Sequence, residues 1–221
     1  MTHLETELSR LKSEIFDMGN LVRNQLKKSI DSFLNTKNDL AKEVLFQERR
    51  VNAEELKIDR DCENIMALFN PVAIDLRLVF ATFKINGHLE RIGDHAKGIA
   101  WYASTLKNHY NKQLIEDLQI RKMEDTIDEM IVSNLNAFLN SDTTSARNIF
   151  KDDDLIDQWN HDATGIIGNY IKQHPDDVID LLHLSYVVKK LERIGDLNKN
   201  IAEEIIFYVE ANVLKHEKEK I

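Results

Sequence analysis

The hexapeptide Leu89-Glu90-Arg91-Ile92-Gly93-Asp94 returns unchanged as Leu191-Glu192-Arg193-Ile194-Gly195-Asp196, 102 positions later. A chain that carries one unit twice is expected to fold as two copies of one supersecondary element, each burying its apolar face in the same way. The register persists through Ile99-Ala100 and Ile201-Ala202. The chain has two prolines, Pro71 and Pro175, and one stands upstream of each copy.

Apolar spacing tells what the unit is made of. Leu4, Leu8, Leu11, Ile15, Met18, Val22, Leu26, Ile30 and Phe33 recur at intervals of three and four, which marks one face of a long helix. Asn35 to Asn38 breaks it, and Asp39 is placed to cap the next. A second helix carries Leu40, Val44, Val51, Leu56, Ile58, Ile65, Leu68 and Phe69 and stops at Asn70, because the residue before a proline disfavours helical backbone. A third starts near Pro71 and runs to about Leu106. After Lys107 to Asn111 the plan repeats. One helix spans about Leu114 to Leu139, the next runs from the Asn140-Ser141-Asp142 stop and cap to about Gln173, and the last ends near Leu214. The charged tail from Lys215 to Ile221 is expected to fray. Long helices on short loops make antiparallel neighbours. The expected fold is therefore all-α: six long antiparallel helices in two tandem pseudo-symmetric three-helix bundles, residues 1–108 and 109–221.

With seven glycines and two prolines the chain has few of the turn residues that a sheet protein needs. A net charge of −9 argues against a nucleic-acid binder, which must neutralise phosphates. The single cysteine, Cys62, lies among Ile58, Ile65 and Met66 and reads as a small buried hydrophobe in a reducing compartment. The opening Met1 to Glu7 is polar and acidic, unlike a signal peptide, and no run approaches the ~18 apolar residues of a membrane span. A cytoplasmic protein that meets membranes only through partners is the expectation.

Two polar stripes carry the candidate chemistry. Glu90 and Asp94 share a helical face with Lys97; the second copy offers Glu192, Asp196, Lys199 and Glu203. On the preceding helix Glu48, Asn52, Glu55 and Asp59 fall within roughly 60° of one another. Their counterparts are Asp153, Asp157, Asn160 and, less well matched, Thr164. A solvated face with intrahelical ion pairs is the bland reading of such stripes. Against it, like charges at i and i+4 repel, and the motif is intact in two halves that otherwise differ. Facing acidic stripes would need cations between them, and carboxylate and amide oxygens suit Mg²⁺, Mn²⁺, Ca²⁺ or iron better than a thiolate zinc site. His95, matched by Leu197, reads as incidental or accessory, and His161 as a surface residue. Trp101 and Trp159 are expected to pack between helices.

Taken with Pro71-Val72-Ala73, Asp75-Leu76-Arg77, Val51-Asn52, Ile58-Asp59 and Asn200-Ile201-Ala202-Glu203, the doubled motif resembles the PhoU family over the whole chain. The resemblance implies two three-helix bundles whose Glu/Asp-x-x-x-Asp motifs hold multinuclear metal clusters, with iron and zinc among the metals and Mg²⁺ or Mn²⁺ also considered. It implies Glu90, Asp94, Glu192 and Asp196 as first ligands, with Glu48, Asn52, Glu55, Asp59, Asp153 and Asp157 opposite them. It implies a non-catalytic negative regulator of phosphate uptake and starvation signalling. Its partners would be the ATPase subunit of the phosphate ABC transporter and a membrane sensor histidine kinase, and self-association as a homodimer is also allowed for. Gly98 and Trp101 stand where the family often has Asn and Glu, whereas repeat two keeps Asn200 and Glu203. The Asp75-Leu76-Arg77 run has no arginine match near Asp177. Two non-equivalent sites are expected, one with fewer or weaker metals. The rival reading is a di-iron carboxylate oxidase or iron store; such bundles use Glu-x-x-His, which this chain lacks.

Overall fold

The computed structural model describes residues 2–105 and 110–213, and almost all of them are helical. Helix α1 (His3–Asn35) is opened by a reciprocal cap, with the Thr2 hydroxyl accepting from the Glu5 amide and the Glu5 carboxylate accepting from the Thr2 amide. Its apolar face from Leu8 to Phe33 is buried throughout, as the periodicity requires. Helices α2 (Asn38–Phe69) and α3 (Ala73–Thr105) complete the first bundle. The second consists of a short α4 (Lys112–Asp117), α5 (Ile120–Asn140), α6 (Thr143–Gln173) and α7 (Val178–Glu210), with one 3-10 turn at Pro175–Asp177. Within each bundle all three long helices touch, and the bundles join side by side through α3 against α7 and α1 against α5.

Some boundaries differ from the sequence expectation. The helix expected over Leu114 to Leu139 is broken at Gln119, whose φ of 55° closes α4 and opens α5. The apolar period runs through the break because Leu114, Leu118 and Ile120 are all buried, so periodicity alone does not reveal it. Helix α3 begins at Ala73 rather than Pro71, and α2 begins at Asn38, one residue before the expected cap Asp39. Leu56 and Leu68, read as inward, are 63% and 72% exposed. The expected helix end near Leu214, the charged tail and most of the Lys107–Asn111 boundary lie outside the described residues. Among the described residues no helix is long and apolar enough to cross a membrane.

The glycines do not make the turns. Left-handed backbone falls on Thr36, Asn70, Ala73, Gln119, Ser141 and Ala211, and no glycine has positive φ. Glycines serve close helix approach instead. A Cβ on Gly19 of α1 would meet Leu135 of α5 at 2.4 Å, at the joint between bundles. A Cβ on Gly93 would lie 3.1 Å from Val51, and one on Gly195 would lie 3.2 Å from Ile156. The motif glycine of each repeat thus sets how near α3 comes to α2, and α7 to α6.

Candidate metal centres

That close approach brings the acidic stripes together. In the first bundle Glu48 of α2 meets Glu90 and Asp94 of α3, with one carboxylate oxygen from each lying within 4.8 Å of the others. Glu48 is buried, Glu90 half-buried and Asp94 exposed. The Gln25 amide, from α1, donates to Glu48 Oε2 at 2.7 Å and to the Gly93 carbonyl at 3.2 Å. Lys97 Nζ sits 3.1 Å from Asp94 Oδ1 and 3.6 Å from Glu48 Oε1. Burial pushes the Glu48 carboxyl up, with the Gln25 hydrogen bond opposing. Burial and the charge of Asp94 do the same to Glu90. Asp94, although partly desolvated, is held below its ordinary value by the Lys97 ammonium and by sharing a hydrogen bond with Glu48.

In the second bundle the group is Asp153 and Asp157 of α6 with Asp196 of α7, again with oxygens within 4.8 Å of one another. Asp153 is 1% exposed. Its Oδ2 accepts from Lys199 Nζ at 2.8 Å, while its Oδ1 is buried with no hydrogen-bond partner. Burial pushes its carboxyl up to about 6 against the pull of Lys199, and Asp157 and Asp196 add to the rise. Asp196 is also bound by Arg193 of its own helix at 2.9 Å.

The remaining site residues lie outside these two groups. Glu192, the repeat partner of Glu90, is buried but paired with Lys189, and Arg193 lies 3.6 Å away. Asn52, with its amide turned to donate, lies 3.2 Å from Glu48 Oε1 and supports a ligand rather than adding an acid. Glu55 is close enough to Asp94 and Asp59 for their charges to raise its carboxyl further after burial. Asp59 accepts from the buried Asn86 amide at 2.9 Å. Gln25 was not read from the sequence, although a signal exists: it interrupts the apolar stripe between Val22 and Leu26 and is 0% exposed. His161 is exposed, and Trp159 is half-buried against the core. Trp101 does not pack between helices as expected; its indole is 53% exposed. Cys62 is buried, and its thiol is pushed up to about 12 by desolvation and neighbouring acids, which makes it inert.

The donor set suits a hard cation. Both groups consist of carboxylates alone, which match Mg²⁺, Mn²⁺ or iron. Asp153 Oδ1 is buried without a hydrogen bond although Oδ2 pairs with Lys199, and leaving a buried polar atom unsatisfied is costly; a cation bound there would satisfy it. The internal ammoniums of Lys97 and Lys199 stand where positive charge is wanted.

An all-helical chain of two repeats, each with a carboxylate cluster where its second and third long helices meet, is the class that fold and site define. The chain belongs to the PhoU family: the PhoU domain model matches residues 15–103 and 120–205, one span in each repeat. It is 31% identical over 211 residues to the phosphate-specific transport system accessory protein PhoU homolog of Aquifex aeolicus, covering 96% of this chain and 95% of that one. It is 32% identical to the phosphate-specific transport system accessory protein PhoU of Escherichia coli, covering 95% of this chain and 86% of that one. The crystal structure of PhoU from Pseudomonas aeruginosa superposes with a TM-score of 0.86 at 28% identity, covering 95% of this chain and all of that one. PhoU from Streptococcus pneumoniae shares the fold, with a TM-score of 0.85 at 24% identity.

Proposed function

We propose that the chain is a non-catalytic, metal-loaded regulator of phosphate-specific transport. In this reading it works in the cytoplasm, reaches the membrane through partners, and couples the transporter's ATPase subunit to a sensor histidine kinase. It damps the starvation response when phosphate is plentiful. The observation that carries the reading is kinship along the whole chain, since relatives named as accessory proteins of phosphate-specific transport align over both repeats.

Glu48, Glu90 and Asp94 would hold metal in the first repeat, and Asp153, Asp157 and Asp196 in the second. A cation at either group ties two helices together through oxygens that otherwise repel, so it would stiffen α2 against α3 and α6 against α7. The all-carboxylate clusters lend no support to the di-iron enzyme reading, which draws on histidine ligands.

The test has two arms. Deletion of the gene in its host should raise a phosphate-starvation reporter in phosphate-rich medium, and wild type should restore repression. The tagged protein should retain the transporter ATPase on purification. An unchanged reporter together with no retained ATPase would refute the adaptor reading.

A further inference from the structure

A cleft of about 310 Å³ lies where α3 meets α7, lined by Leu45, Asp94, Lys97, Gly98, Trp101 and Lys190 together with Tyr102. Its floor is Lys190, whose side chain crosses α3 at the bare backbone of Gly98. A Cβ there would fall 2.6 Å from the Lys190 amine. Lys190 is half-buried, and among the described residues it has no ion pair or hydrogen bond. Asp94 acts on it only at longer Coulombic range, and Asp94 is already engaged by Lys97 at 3.1 Å. A partly desolvated ammonium without a counterion is costly and normally avoided. Beside it, Trp101 is about half exposed and edge-on to Tyr102, which stacks on Tyr186.

The second repeat shows what was exchanged. Gly98 stands where repeat two has Asn200, and Trp101 stands where it has Glu203. Repeat one thus has an aromatic plane in place of the acid, and in place of the polar side chain a bare backbone over which the unpaired Lys190 lies.

We propose that this cleft binds a phosphorylated aromatic ligand of the mononucleotide class, its phosphoryl oxygens on Lys190 and its ring on Trp101. Both parts follow from the chemistry of the lining side chains. Ammonium groups take oxyanions by charge-assisted hydrogen bonds, and an exposed indole offers a sequence-tolerant stacking face to a base. The cleft volume is at the lower end of that of small-ligand sites.

The test is calorimetric titration of the full chain with AMP, adenosine and inorganic phosphate, in chelator and at low salt. The chelator keeps the carboxylate clusters empty, so failure here leaves the metal reading untouched. AMP should bind more tightly than either of its parts. Lys190→Met and Trp101→Ala should each weaken AMP binding by about tenfold or more. Lys112→Met, on α4 and outside the cleft lining, should not change it, and circular dichroism checks that each variant is folded. Absence of AMP binding at millimolar concentration, or full affinity in Lys190→Met, overturns the site. Equal binding of phosphate and AMP with Trp101→Ala silent overturns the ligand class.

Discussion

The two repeats build the same cluster from different residues. The first takes one acid from its second helix and two from its third: Glu48, then Glu90 and Asp94. The second reverses the ratio, with Asp153 and Asp157 on one helix and Asp196 on the next. Sequence alignment of the repeats pairs Glu90 with Glu192 and Asn52 with Asp157, yet in each pair only one member joins a cluster. The clustered place is kept while the residue that fills it moves across the helix pair. Charge around the clusters differs too. Gln25 donates a hydrogen bond to one oxygen of Glu48, whereas Asp153 keeps an oxygen with no hydrogen-bond partner. The second cluster is the more strongly frustrated without a cation.

The largest expected effect breaks the comparison directly. Glu48→Ala should strip metal from the first repeat and Asp153→Ala from the second, each weakening that site by more than about 100-fold, beyond what loss of an outer-shell partner costs. Elemental analysis of each variant against wild type checks this. The decisive pair is Glu192→Ala and Asp157→Ala: the first should leave second-repeat metal in place and the second should remove it. The opposite result would restore the literal sequence repeat as the ligand map.

Next in size are the motif glycines. Gly93→Val and Gly195→Val should each destabilise the fold by about 1–3 kcal/mol in denaturant titration, because side chains already stand where the new methyls would go. Gly195→Val should also lower metal affinity, since its Cβ would meet Asp153 Oδ1 at 3.3 Å.

A pH experiment sharpens the contrast. Asp153 titrates near 6 when folded, above the ordinary value of 3.8. Its favourable contribution is therefore complete below that ordinary value and is lost as pH rises through about 6. Metal-free protein should lose stability across that window by thermal melting, and Asp153→Asn should flatten the loss. Metal binding should strengthen over the same window, as the ligand gives up its proton.

The smallest effect concerns the internal ammonium. Lys199→Met should tighten second-repeat metal binding by about fivefold, equivalent to ~1 kcal/mol, by removing a competitor for Asp153. A titration with Mn²⁺ in which Lys199→Met binds no more tightly than wild type would show that the lysine does not compete.

Much of the site was legible because helical periodicity is local. Glu90 and Asp94, or Asp153 and Asp157, share a face wherever their helix goes. Gln25 was harder to see, because its partner Glu48 lies 23 positions away on another helix. The exposure of Trp101 was hidden because an indole at helical spacing reads as core unless the opposite helix is known to leave it open.

The sequence by itself determined the long helices, their pairing into two repeats and the two acidic stripes, since these depend on spacing along a rigid 1.5 Å-rise rod. Only the tertiary structure decided which carboxylates converge, which one turns away to a neighbouring lysine, and which lysine is left without an acid. Those outcomes depend on how closely two helices approach and how they cross, and that is set by glycines and core side chains packing from three directions at once.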